Sequence, residues 1–207
     1  MLLTALLVLG GIGGYAGSYA IDSRPDSGGV AAPVEATPTI PADVIPEIAP
    51  DPDNPPLRRG LELTTDTIGL GMTLTEFPVP KGWQRIQLNS NELKYKAPGY
   101  PDNTYILRVE EVGSDNRTID SILRSTVSDV RSDTVNFTQV ARTENSVEYT
   151  YISSKDAHFR HAFRIWLDMQ GNGTADLEFA ITGRAVDAAG MEELIGLVAD
   201  GARLVNG

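Results

Sequence analysis

After residue 60, apolar and polar positions alternate with the period of two that is typical of half-buried β-strands. The pattern predicts seven strands, at 83–88, 92–96, 104–109, 135–142, 146–153, 157–169 and 174–183. The connections between the last four are only a few residues long, which favours antiparallel neighbours. The second half of the chain is therefore expected to form a largely antiparallel sheet.

Two other stretches repeat apolar residues at spacings of three and four, the period of an amphipathic helix. The first begins after Thr118, a good N-cap residue, and the second covers residues 187–200. The apolar stripe of the first helix consists of Ile119, Ile122, Leu123, Val127 and Val130. Strands, a helix, a four-stranded meander and a final helix together predict an α+β domain, with helices packed on the faces of an antiparallel sheet.

Residues 2–21 carry no charge and are mostly apolar. Twenty residues in a helix span about 30 Å, the thickness of the hydrocarbon region of a bilayer. The segment is thus expected to be a single transmembrane anchor, residues 1–21. The alternative is a signal peptide, because the small residues Ser18 and Ala20 would suit cleavage after Ala20.

Residues 22–60 hold nine of the thirteen prolines. Proline at this density opposes helices and sheet ladders and favours extended chain, so residues 22–60 are predicted to be a disordered acidic linker. The globular domain is then residues 61–207. This order predicts a single-pass membrane protein with its C-terminal domain outside the cytoplasm, or a secreted protein if the first segment is removed.

The formal net charge is −11, and no stretch of the chain is strongly basic. Nucleic-acid binding and attachment to anionic lipid through surface charge are therefore disfavoured. The chain contains no cysteine, which excludes disulfides, a cysteine nucleophile and thiolate metal sites.

The residues that usually carry catalysis are few and poorly placed. His158 and His161, the two histidines, are three apart on a predicted strand, so they point to opposite faces and cannot share a metal ion. The neighbouring carboxylates Glu110 and Glu111 point apart for the same reason. No serine occupies a strand–turn–helix elbow. We therefore predict no enzymatic activity, no metal and no cofactor.

One group of residues is a candidate partner-binding patch. Three of its members project from one face of strand 157–169, a fourth lies on a neighbouring strand, and a tyrosine lies in the turn at 98–103. The patch comprises Arg108, Arg160, Arg164, Trp166 and Tyr100. The alternative is that these arginines pair across strands with Glu148 and Glu178 while the tryptophan packs beneath a helix.

Pro80-Lys81-Gly82-Trp83 leads into the sheet, Phe163 and Trp166 share a strand, and the closing helix ends in Gly201-Ala202-Arg203-Leu204. In this layout, residues 70–205 resemble the PsbP-like fold, and more narrowly the exported LpqN-type domains of actinobacteria. Those domains also follow an N-terminal anchor and a proline-rich stretch, although this chain has no lipobox cysteine. The resemblance implies a binding role without chemistry and transfers no functional residue.

The leading expectation is a membrane-anchored extracytoplasmic binding or sensing module for a protein or cell-envelope partner, without catalysis. A small-molecule carrier that uses a cleft between sheet and helix is the first alternative. A cell-envelope hydrolase is the second.

Overall fold

The structure, a computed structural model, describes residues 47–101 and 104–205. These residues form ten strands, two α-helices and three short 3-10 turns. The strands are β1 (Leu63–Ile68), β2 (Thr75–Pro80), β3 (Gln84–Asn89), β4 (Glu92–Lys96), β5 (Ile106–Glu111), β6 (Val135–Arg142), β7 (Ser146–Ile152), β8 (Phe159–Leu167), β9 (Leu177–Gly183) and β10 (Arg203–Leu204). The helices are α1 (Ile119–Asp133) and α2 (Ala188–Asp200). The predicted anchor at 1–21 lies outside the described residues.

The main sheet has seven strands in the order β3-β4-β5-β9-β8-β7-β6, and every neighbouring pair is antiparallel. Strand β9 lies between β5 and β8, so the chain inserts its last long strand into the middle of the sheet. The helices lie on opposite faces of this sheet, α1 on one and α2 on the other. The predicted α+β class, with an antiparallel sheet and packed helices, is confirmed.

The main core lies between the sheet and α2. Leu107, Phe179 and Ile181 point from the central strands towards Met191 and Leu194 of the helix, and all five are at most 2% exposed. Burying a side chain of this size contributes about 1.5–3 kcal/mol. The helix forms because its apolar residues recur at three and four, which places them on one side.

A second core lies on the opposite face, beneath α1. The helix begins where the Thr118 hydroxyl accepts a hydrogen bond from the Ser121 N–H at 3.3 Å, as the cap prediction requires. Its Ile122 and Leu123 pack with Val147, Tyr149 and Trp166 of the sheet. This helix therefore covers part of the sheet face that lies opposite α2.

A small sheet, β1-β2-β10, was not predicted. Strand β2 contributes Phe77 and Val79 to the main core but also contains Pro78 and Pro80, which argue against a strand. The prolines are tolerated because β10 pairs only with Thr75 and Glu76, so the part of β2 with the prolines has a hydrogen-bonded neighbour on one side only.

Residues 49–60, which we call the strap, fall within the predicted linker and pack against the domain. The strap pairs with the start of β8 through an Ala49–His158 bridge, and Leu57 is buried in the main core at 6% exposure. It ends at α2, where the Gly60 N–H donates to Glu193 at 2.7 Å. Prolines prevent a helix here, but an extended chain can still bury a leucine and offer its carbonyls to side chains.

One buried ion pair holds the strap to the domain. Arg184 and Asp187 have side chains 3% and 0% exposed, and they meet at 2.8 Å. The arginine also donates to the backbone carbonyls of Pro52, Asn54 and Pro55 at 2.9–3.1 Å, while Asp187 accepts from the Leu57 N–H at 2.9 Å. Because all five guanidinium N–H groups have acceptors, this buried charge is compensated.

Candidate functional site

Trp166, the proposed aromatic centre of the predicted patch, is fully buried beneath α1. Its indole N–H donates to Glu178 at 2.8 Å, and Arg164 donates to the same carboxylate at 2.8 Å. Trp166 therefore offers no exposed surface to a partner. The structure thus shows the alternative arrangement for these two residues: Arg164 pairs with Glu178, and Trp166 packs beneath a helix.

The other members of the patch also have partners of their own. Arg108 forms ion pairs with Glu92 and Glu110, and Arg160 binds Asp51 of the strap at 2.7 Å. Their charges are thus balanced locally, which leaves no free cation cluster for an anionic partner. The alternative also expected Glu148 to pair with an arginine, but in the structure Glu148 pairs with His161.

Tyr100 packs in an aromatic cluster. Its ring is half-buried, 5.7 Å from that of Tyr105, which in turn stacks on Trp83 at 5.5 Å. Burial raises the pKa of Tyr105 to about 12. The aromatic cluster stabilises the starts of β3 and β5, at the end of the domain where the strap runs.

The opposite end of the domain contains a cleft of about 430 Å³, within the usual size range of ligand sites. The end of β5, the loop after it, the loop between β8 and β9, and the turn between β1 and β2 surround it. We call it the polar cleft, because ten of its fourteen lining residues have a hydroxyl, amide or carboxylate side chain. Among the described residues that line it there is no lysine, arginine or histidine.

The two carboxylates of the polar cleft are Glu111 and Asp176. Asp176 accepts hydrogen bonds from the backbone and side-chain amides of Gln170, at 3.0 and 2.9 Å. Within the described part of the chain, the side chains of Glu111, Ser114 and Asn116 make no hydrogen bond or ion pair. The cleft therefore presents two uncompensated negative charges and several unused hydrogen-bonding groups.

The loop between β8 and β9 is held in shape from within. Asp168 accepts the backbone N–H groups of Asn172 and Gly173 at 3.0 and 2.7 Å, and Gly171 and Gly173 adopt positive φ. The backbone N–H of Gly173, together with neighbouring amides, lowers the pKa of Asp168. This side of the cleft is thus formed before any ligand arrives.

Gly69 allows the opposite side of the cleft to approach closely. It has φ +90°, and a Cβ placed on it would lie 2.6 Å from both a Glu111 carboxylate oxygen and the Thr73 carbonyl. Only glycine fits this position. The turn that follows exposes Leu70 and Met72, whose side chains are 86% and 87% exposed. An apolar tip therefore stands beside a polar cleft.

Sequence reasoning missed the polar cleft because its residues come from segments far apart in the chain. Glu110 and Glu111 do point apart, as predicted: the first pairs with Arg108 on one face of the sheet, and the second lines the cleft. The only local signal was Asn172-Gly173, which was interpreted as a turn.

A second concavity, of about 650 Å³, lies beside the polar cleft between the ends of β8 and α2. The two share Met169 and Leu204. No described helix is long and apolar enough to cross a membrane. The described residues also contain no group of three or more histidine, aspartate or glutamate side chains suited to a metal ion.

Comparison with known proteins gives one distant likeness. No protein-family model matches the chain, and no curated protein matches it. Among solved structures the chain is similar to LpqN of Mycobacterium tuberculosis, a protein involved in cell envelope biogenesis. The TM-score is 0.42 at 11% identity, over 70% of this chain and 93% of that one. The LpqN-like layout predicted from sequence is confirmed at this coarse level, and the wider PsbP-like assignment is not.

Proposed function

We propose that this protein is a non-catalytic binding module, held at the cell envelope by residues 2–21 and displayed outside the cytoplasm. Its recognition site is the polar cleft, and its partner is a protein or another envelope component. The observation that carries the proposal is the position of the cleft relative to the strap.

The strap and the polar cleft lie at opposite ends of the central strand. Arg184, just after β9, binds three strap carbonyls, whereas Asp176, just before β9, lines the cleft. The two residues are eight positions apart along the strand, which at ~3.3 Å per residue is about 26 Å. A domain whose chain arrives at one end and whose cleft opens at the other is well arranged to present that cleft away from its attachment.

The chemistry of the cleft favours binding over catalysis. Its lining offers hydroxyl, amide and carboxylate groups. Among its described lining residues there is no histidine that could act as the base for a hydroxyl nucleophile. The cleft is open and polar, which favours recognition at a surface over carriage of a ligand in a closed apolar cavity.

Site-specific photo-crosslinking tests the assignment of the recognition end. A photoreactive amino acid replaces exposed Ser114 in the polar cleft, or exposed Lys155 in the turn beside the strap, in the full-length protein. We expect cross-linked adducts in the producing cells from position 114 and few from position 155. Adducts from position 155 alone would contradict the proposal, because they would place recognition at the strap end.

Protease treatment of intact protoplasts tests the topology. We expect an externally added protease to digest the domain while a cytoplasmic control protein stays intact. A domain that is digested only after the membrane is broken would place it in the cytoplasm and refute the display.

A further inference from the structure

Glu111 is the central feature of the polar cleft that the proposed function leaves unused. It is half-buried, makes no hydrogen bond or ion pair within the described part of the chain, and faces a lining without a basic residue. Asp176, which lines the same cleft, accepts hydrogen bonds from the uncharged amides of Gln170, and no cation among the lining residues balances its charge. Two carboxylates in a partly enclosed cleft favour a ligand that brings a positive charge.

The remaining lining groups narrow the ligand class. The hydroxyl of Ser114 and the amide of Asn116 can each donate and accept hydrogen bonds, which matches the dual character of ligand hydroxyls. Met169, Leu177 and Leu204 supply an apolar surface suited to the C–H groups of a small ring. The described residues offer only two carboxylates here and no histidine, too few for a metal ion that needs several charged ligands.

We propose that the polar cleft binds a hydroxylated ligand bearing an ammonium group, the chemistry of an unacetylated amino sugar, and that Glu111 is the residue that recognises the ammonium. This rests on the proposed role of the cleft as the recognition site. Glu111 forms a charge-assisted hydrogen bond with the amine, and the neutral lining groups bind the hydroxyls.

Calorimetric titration of the full-length protein in detergent tests the charge requirement. The probes are glucosamine, glucose, glucuronate and calcium chloride. We expect glucosamine to bind about tenfold more tightly than glucose, since a partly exposed charge-assisted hydrogen bond has about that effect. Glucuronate should not bind, because the cleft has no cation to receive it, and added salt should weaken glucosamine binding.

Two adjacent substitutions give a matched pair. Glu111→Gln should weaken glucosamine binding about tenfold and leave glucose binding unchanged. Glu110→Gln removes the same charge one residue away, on the other face of the sheet, where Glu110 pairs with Arg108, and should leave glucosamine binding unchanged. Both variants retain the buried cores, so circular dichroism should confirm equal folding.

Several results would overturn the inference. Equal affinity for glucose and glucosamine would show that the cleft does not recognise the ammonium group. Equal effects of the two glutamine substitutions would show that Glu111 is not the residue that recognises it. Binding of calcium chloride without glucosamine would make the cleft a metal site. If position 114 still gave cross-linked adducts in cells after any of these outcomes, the proposed recognition end would stand and only the ligand class would fall.

Discussion

Replacement of Asp187 by asparagine tests whether the strap is an integral part of the domain. The two carboxylate oxygens of Asp187 accept four hydrogen bonds, at 2.8–3.0 Å, from Arg184 and from the Leu57 N–H. An asparagine has nearly the same shape, but its amide nitrogen cannot accept and its charge is zero. The substitution therefore leaves a guanidinium that is 3% exposed without its counter-ion.

The expected loss follows from that geometry. Removing one partner of a buried ion pair costs about 3–5 kcal/mol, because the remaining charge stays in a poorly solvating environment. A small domain is stable by only about 5–15 kcal/mol, so the variant should lose a large share of its free energy of unfolding. The carbonyls of the strap that Arg184 now binds would also lose a fixed partner.

Urea denaturation of the full-length protein, followed by tryptophan fluorescence, measures this loss. Trypsin gives a second reading, since Arg58 and Arg59 lie exposed in the strap and should be cleaved faster when the strap loosens. The control is Glu192→Gln, which removes an exposed ion pair between the same strap and α2 and should change stability by less than about 0.5 kcal/mol. A loss below about 1 kcal/mol for Asp187→Asn, with unchanged cleavage, would refute the reasoning.

Three further predictions follow from close contacts. Gly190→Ala should destabilise the domain by at least about 1 kcal/mol in the same urea experiment, because its Cβ would overlap the strap backbone, whereas Gly196→Ala, in open space on the same helix, should stabilise it by about 0.5–1 kcal/mol. Trp166→Phe should cost about 1–3 kcal/mol through loss of the buried indole hydrogen bond; a neutral effect would contradict it. The backbone N–H of Gly173 lowers the pKa of Asp168 in the folded state, so the ionised carboxylate stabilises the loop above pH ~4, and this stability is lost as the pH falls through the lowered pKa. Amide NMR shifts of the loop should report this transition, and Asp168→Asn should abolish it.

The elements that the sequence predicts well are those whose signal is local. The stripe of α1 and its Thr118 cap lie within a few residues of one another, and the predicted helix matches Ile119–Asp133. The predicted strand 157–169 is too long by two residues at each end, because alternation continues into turns that Ala157 and Asp168 form. Periodicity gives the identity of an element more reliably than its ends.

The missed features depend on contacts between distant segments. Nothing near Leu57 indicates that a carboxylate 130 residues later accepts its N–H. Glu111 and Asp176 meet only because β9 inserts beside β5, where Glu111 pairs with Leu177. For a related reason the sequence left two arrangements open for the candidate patch: alternation places Arg164 and Trp166 on one face, and only the packing of α1 shows that this face is covered.

The strap and the polar cleft lie at opposite ends of the domain, which separates the effects of changing one or the other. The strap begins at Ala49, beside the start of β8, and the Arg184–Asp187 pair holds the residues that follow across that end of the sheet. The polar cleft lies about 26 Å away, at the other end of β9. Loosening the strap, as in Asp187→Asn, should therefore leave the affinity of the cleft for glucosamine unchanged, and the calorimetric titration measures this. On the proposed function, recognition depends on the loops around Glu111 and not on the strap, so the two ends of the domain can be altered independently.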